Sequence, residues 1–179
     1  MGDALSRLVN SLQNNPIEEF KNILEQARIT TKEVKNHCFF SEHYYTRNLV
    51  YAEDTFELIV LCWNGKQQTP IHDHNNSDGW LSVIQGGVTE TIYAWDKNTR
   101  EAKIQDVISN EELGSGAVSH VNDDIGVHSI CNPDDGESIT LHLYSPRILK
   151  CHYVDHQSAA IKEKVLSFHS IGGKLVKSS

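Results

Sequence analysis

The chain has 179 residues, of which 39% are hydrophobic and 22% charged, with a formal net charge of −8. That length corresponds to one domain with material for a substantial core, which excludes a disordered chain. The negative balance, with no compensating Lys/Arg cluster, excludes a reader of phosphate backbones, so nucleic acid is not expected as a partner.

The start, Met1-Gly2-Asp3-Ala4-Leu5-Ser6, lacks the basic and apolar regions of a secretory signal. Gly2 and Ser6 meet the loose myristoylation pattern, but Asp3 beside the glycine weakens that match. No apolar run approaches the roughly 18 residues that span a bilayer, so no membrane is expected. Cys38, Cys62, Cys131 and Cys151 show no CxxC pairing, which fits a reduced, cytoplasmic compartment.

Residues 1–40 read as a helical layer. Asn15 is expected as an N-cap before Pro16, with Glu18 and Glu19 complementing the helix dipole and Ile17, Phe20, Ile23 and Leu24 at helical spacing. Thr30 or Thr31 is expected to cap a further short helix with Glu33 in its first turn. From Tyr44 onward short strands follow: 45–51, 56–63, 80–84, 88–95, 102–108, 116–121, 127–131, 139–144 and 151–154, rich in β-branched and aromatic residues. Turn signals such as Asn64-Gly65, Gln85-Gly86-Gly87, Asp96-Lys97-Asn98 and Gly114-Ser115-Gly116 separate them. The pattern predicts a single all-β domain over 1–179, a barrel or double-sheet roll over 44–170 behind N-terminal helices, with a loosely held tail from about Ile171.

Within this run, Pro70-Ile71-His72-Asp73-His74 places two histidines at spacing two, on one side of an extended strand. They read either as a hydrogen-bonded pair or as metal ligands, with His128 as a third. By the same alternation Arg47 shares a face with Tyr45, and Tyr144 shares one with His142 and Thr140. Arg47 reads as a surface ion pair or as a carboxylate partner; Tyr144 and His142 read as core groups with satisfied polar tips or as site residues.

The region from His72 to Gly86 resembles the first motif of the cupin superfamily, with Gly86 at the expected glycine and Gly79 where a glutamate ligand usually stands. His128 and Asn132 resemble the second motif. The resemblance narrows on the ordered stretches Tyr45-Thr46-Arg47-Asn48-Leu49-Val50, Leu61-Cys62-Trp63, Ile71-His72-Asp73-His74, Ile125-Gly126-Val127-His128, Leu141-His142-Leu143-Tyr144-Ser145-Pro146 and Cys151-His152. Over about Tyr44 to Asp155, the chain resembles cysteine dioxygenases. That resemblance implies a cupin-type jelly-roll barrel and a monomeric enzyme of cysteine catabolism and taurine biosynthesis, converting L-cysteine and O2 to cysteine sulfinic acid with Fe(2+). His72, His74 and His128 match its metal ligands, and the substrate thiolate and amine are expected at two further positions on the metal. Arg47 matches the group holding the substrate carboxylate, with Tyr45 beside it; Tyr144 and His142 match the active-site tyrosine and its hydrogen-bond partner. Cys151 matches a cysteine near the substrate pocket, although a buried inert thiol is equally consistent. In the animal enzymes a cysteine at the place of Gly79 is crosslinked to the tyrosine; here Tyr144 is expected to be unmodified, as in bacterial members.

Three competing functions have distinct marks. A 3-mercaptopropionate dioxygenase usually carries glutamine in place of the arginine, so Arg47 opposes it. A non-catalytic cupin leaves Tyr144 and His142 without a task, and a zinc hydrolase needs a general base that no residue here obviously supplies.

Overall fold

The computed structural model describes residues 2–96, 99, 101–155, 157–158 and 160–177. The expected turn at Asp96-Lys97-Asn98 lies mainly outside them.

The N-terminal layer consists of α1 (Asp3–Gln13), α2 (Phe20–Ala27) and the single turn α3 (Thr31–Val34). Leu5, Leu8, Val9 and Leu12 recur at helical spacing and form the buried stripe of α1. Thr30 is the N-cap of α3, and its backbone N–H donates to the Glu33 carboxylate at 2.9 Å. The expected cap at Asn15 is not formed: a short 3-10 turn, Ile17–Glu19, precedes α2, and Pro16 stands at its cap position. Asn15 instead donates from its side chain to the Ser11 carbonyl at 2.8 Å, satisfying the end of α1 rather than the start of α2.

Among the described residues twelve strands follow: β1 (Thr46–Ala52), β2 (Glu57–Trp63), β3 (Asp78–Gln85), β4 (Gly87–Asp96), β5 (Glu101–Gly114), β6 (Val118–Val121), β7 (Val127–Cys131), β8 (Ser138–Ser145), β9 (Lys150–Val154), β10 (Ile161–Val165), β11 (Ser170–Ile171) and β12 (Lys174–Leu175). One sheet runs β12-β11-β1-β2-β8-β3-β6, and the remaining strands form the ladders β5-β4-β7 and β10-β9. At the β3–β4 turn, Gly86 has φ +70°, and a Cβ there would lie 2.5 Å from the Ser138 hydroxyl, so both conformation and space require glycine.

The seven-stranded sheet is covered on both faces. Leu58, Val60 and Cys62 of β2, with Leu141 and Leu143 of β8, pack against the helices. Ile59, Leu61 and Trp63, with Leu81 and Val83, face Val88, Leu113 and Ile130 of the second ladder. Every residue of β2 is therefore buried, and after Glu57 its sequence reads as a continuous apolar run instead of an alternation.

The tail is not the loose arm expected from its sequence. β11 runs parallel to β1, the Gly172 N–H donates to Leu49 at 2.9 Å, and the fully buried Ser170 donates its hydroxyl to Asn48 at 2.8 Å. No helix among the described residues is long and apolar enough to cross a membrane.

Candidate metal centre and its surroundings

The segment carrying His72 and His74 completes the second sheet without belonging to a regular strand. His72 exchanges backbone hydrogen bonds with His128 of β7 at 2.9 and 3.0 Å. On the other side, the Asp73 N–H donates to the His152 carbonyl at 3.0 Å and the Val154 N–H to Ile71 at 2.9 Å. It thus joins β7 to β9 and brings His72 and His74 against a histidine 54 positions away from the latter.

One ring nitrogen from each of His72, His74 and His128 lies within 4.8 Å of the others, and Nε2 of His74 is 3.0 Å from Nε2 of His128. The His72 Nδ1 lies 3.0 Å from the Pro70 carbonyl and the His128 Nδ1 2.8 Å from the Glu90 carboxylate, so both nitrogens act as donors. That fixes the tautomers and leaves both Nε2 lone pairs bare. Burial, reinforced by the neighbouring rings, pushes His72 down to about 3 and holds His74 well below the ordinary histidine range. Bare imidazole lone pairs facing one another inside a protein repel unless a cation lies between them, and a divalent metal satisfies all three at once. The donor set fits a metal of the borderline class that favours imidazole, with no carboxylate among the ligands.

The scaffold around the rings is anionic. Asp123, buried, accepts from the backbone N–H of His74 at 2.8 Å and of Asn76 at 2.6 Å, holding the turn in which Asn75 and Asn76 adopt positive φ. Asp73 accepts from the backbone and Nδ1 of His152 at 2.7 and 2.9 Å. Burial pushes the Glu90 carboxyl up, but the bonds from His128 and Ser119 outweigh it and hold it below the ordinary range.

A small cavity of about 40 Å³ opens beside His72, lined by Tyr45, Arg47, His142, Tyr144 and Cys151. The Arg47 guanidinium lies over the Phe168 ring at 5.4 Å and 3.9 Å from the fully buried Glu57, which Arg147 also meets, at 3.3 Å. Two arginines against one carboxylate leave one positive charge in surplus. Nη1 of Arg47 is buried and has no hydrogen-bond partner among the described residues, an orphaned donor that an incoming anion satisfies. Tyr45 stacks on Trp63 at 4.7 Å. Burial pushes the Cys151 thiol up to about 11, so it is not an ionised nucleophile.

Opposite, a hydrogen-bonded line runs along β8. The Trp63 indole donates to Thr140 at 2.9 Å, Thr140 lies 2.8 Å from Nε2 of His142, and Nδ1 of His142 lies 3.2 Å from the Tyr144 hydroxyl. Indole is a donor only, so the line is fully satisfied when Thr140 donates onward to Nε2 and Nδ1–H donates to Tyr144. The Tyr144 proton is then free to point into the cavity. Burial pushes His142 down to about 3 and keeps the Tyr144 hydroxyl well above its ordinary value, so the first is neutral and the second protonated.

All eight residues singled out in the sequence converge: His72, His74 and His128 in the cluster, and Arg47, Tyr45, Tyr144, His142 and Cys151 around the cavity. Sequence reasoning missed Glu57, Glu90, Asp123 and Phe168, and gave Trp63, quoted within Leu61-Cys62-Trp63, no role of its own. Glu90 had one available signal, a carboxylate at an inward position between Val88 and Ile92 of an alternating strand. The others had none at the level of spacing.

The family model for cysteine dioxygenase type I matches residues 4–157. Human cysteine dioxygenase type 1 is 34% identical over 157 residues, covering 86% of this chain and 77% of the human protein; the zebrafish (Danio rerio) protein of that name is 28% identical over 160 residues, covering 88% and 79%. Among solved structures, a Thermus thermophilus protein superposes with a TM-score of 0.53 at 15% identity, covering 66% of this chain and 99% of its own. A Klebsiella pneumoniae protein with a double-stranded β-helix domain gives 0.52 at 16% identity, covering 63% and 81%. These two likenesses concern the fold, which is the cupin-type double-stranded β-helix.

Proposed function

Because the chain belongs to the type I cysteine dioxygenase family, we propose that it oxidises L-cysteine with O2 to cysteine sulfinic acid at a single ferrous ion held by His72, His74 and His128. The observation that carries this reading is the orphaned cationic nitrogen of Arg47, on the small cavity that His72 of the histidine cluster also lines. An amino acid with a thiol at one end and a carboxylate at the other spans those two features.

The bound metal supplies a Lewis-acidic, redox-active point for the thiol sulfur and for dioxygen, both of whose oxygen atoms end on that sulfur. The chain's own residues do the rest. Arg47, steadied by Glu57 and Phe168, holds the substrate carboxylate through charge-assisted hydrogen bonds, and Tyr45 beside it offers a hydroxyl. Tyr144, protonated and oriented by His142, offers a hydrogen bond toward the reacting end of the substrate. His142 is kept in one tautomer by Thr140, which Trp63 orients in turn. Cys151 contributes a thiol wall to the cavity.

Metal analysis combined with oxygen uptake and product identification tests the reading. One iron per chain and stoichiometric cysteine sulfinic acid from L-cysteine are expected. Preference for 3-mercaptopropionate, or ligand binding without oxygen uptake, would overturn it.

A further inference from the structure

Three neutral imidazoles leave the two positive charges of a divalent ion uncompensated by the ligand set. The rings differ in what stands behind them. The second nitrogen of His72 meets the neutral Pro70 carbonyl, and His74 is bonded to the backbone of Val121. Of the three rings, and among the described residues, that of His128 alone meets a carboxylate at its second nitrogen: Glu90, at 2.8 Å. Asp73 and Asp123 lie nearby, but their carboxylates accept from backbone amides and from the ring of His152, which is outside the cluster.

Glu90 is 3% exposed and occupies an inward position of β4 flanked by buried Val88 and Ile92. Burying a carboxylate in an apolar stripe is costly unless both oxygens are bonded. Here they are: one takes the His128 ring and the other takes the Ser119 hydroxyl of β6. The group is fixed between two strands, with its charge aimed along the His128 ring at the point where the three histidines converge.

We propose that Glu90 is a positioning residue that supplies, one hydrogen bond away from the metal, the negative charge that the three-histidine ligand set lacks. By polarising Nδ1–H it makes Nε2 of His128 the strongest of the three donors, which tightens binding of a divalent ion and favours the more highly charged oxidation state of a redox metal. Ser119 serves the same end by preventing the carboxylate from turning away.

This inference rests on the three-histidine reading, and its test separates the two. Co(2+) is titrated into the unaltered metal-free chain and into Glu90→Gln, which keeps the size and an acceptor oxygen but removes the charge. The unaltered chain is expected to bind one cobalt, and Glu90→Gln to bind it about 10–100-fold more weakly, the usual effect of losing such a partner. The iron-loaded forms, compared by mediated redox titration, are expected to show a higher potential in Glu90→Gln. Equal cobalt affinity and equal potential in the two proteins overturn the proposal while leaving the ligand assignment intact. Failure of the unaltered chain to bind cobalt overturns the ligand assignment and this inference with it. If Glu90→Gln does not fold, Ser119→Ala decides the matter: it keeps the charge but frees the carboxylate, and is expected to weaken cobalt binding severalfold, an unchanged affinity overturning the proposal.

Discussion

The role proposed for Arg47 rests on its incomplete pairing. A guanidinium has five N–H donors in a rigid fork, and here Glu57 engages one side at 3.9 Å while Nη1 has no hydrogen-bond partner among the described residues. Replacing Arg47 by Ala should therefore raise the L-cysteine concentration needed for half-maximal oxygen uptake by an amount equivalent to about 2–5 kcal/mol, the usual cost of leaving a buried charge unpaired. Cysteamine, which has no carboxylate, should be affected little, and equal effects on both thiols would remove Arg47 from the binding role. His142 gives a pH test. Its folded-state value of about 3 lies far below the ordinary 6.5, so the unfolded chain binds more protons between those limits and the fold loses stability as pH falls from 6.5 toward 3. Denaturant titrations of the metal-free protein should show that loss. In His142→Gln the slope should flatten by up to about 1.4 kcal/mol per pH unit; an unaltered slope would mean that the ring is accessible to protons in the folded state. The three histidines, Arg47 and Tyr144, which the structure brings together, could be singled out because each sits in a short recognisable stretch. Glu57, Asp123 and Phe168 were not, because each acts across strands and has no fixed spacing to its partner.

Pairing between strands controls the site as strongly as any single side chain. Gly79 of β3 lies opposite Tyr144 of β8, and a Cβ built on it would stand 2.5 Å from Cε1 and 2.8 Å from Nδ1 of His74. The glycine is required by the close approach of the imidazole; its φ is not positive, so backbone strain plays no part. Gly79→Ala should push the His74 ring out of the cluster and lower divalent-metal affinity by about tenfold or more, comparable to losing a supporting group behind a ligand, with circular dichroism unchanged. Retained affinity would show that His74 accommodates the methyl group without moving from its place. Most strands were readable from β-branched and aromatic runs, with ends differing by a residue or two. Three exceptions have physical causes. β10 was not expected at all: its five residues are exposed and Lys162, Glu163 and Lys164 are charged, so no apolar face marks it, and it is held by antiparallel pairing with β9. β5 continues to Gly114 through Glu111 and Glu112, polar residues that composition assigns to a loop but that pair with Glu90 and Thr89 of β4. The tail strands β11 and β12 have two residues each, too short to carry a period, and are held by Asn48 and Leu49 on a strand more than a hundred positions earlier.

At the scale of the molecule, the helical layer and the second sheet clamp the seven-stranded sheet from opposite sides, and the metal centre lies on the side of the second sheet. The layer order follows from the sequence, since an amphipathic helix stripe and inward-facing strand residues must each bury an apolar face. The convergence of His72 and His74 with His128 does not follow from it, because periodicity says nothing about which distant strands meet: His128 is a candidate third ligand on its strand-like segment, and the ordered resemblance supports that choice. The connecting segment is held by bridges to His128 and Tyr153 instead of a long ladder, so a metal adds a link between parts of the chain that backbone pairing joins sparsely. An ion that binds only the folded state stabilises it by about 2.7 kcal/mol at a free concentration of about 100 times its dissociation constant. For a chain of this length that corresponds to a rise of roughly 5–10 °C in the thermal midpoint. Co(2+) or anaerobic Fe(2+) should produce the rise, a chelator should reverse it, and His128→Ala should abolish it and also lower the metal-free midpoint, because the buried Glu90 carboxylate loses its ring partner. If His128→Ala still showed the full metal-dependent rise, the ion would be bound by other residues and the three-strand convergence would have no part in holding it.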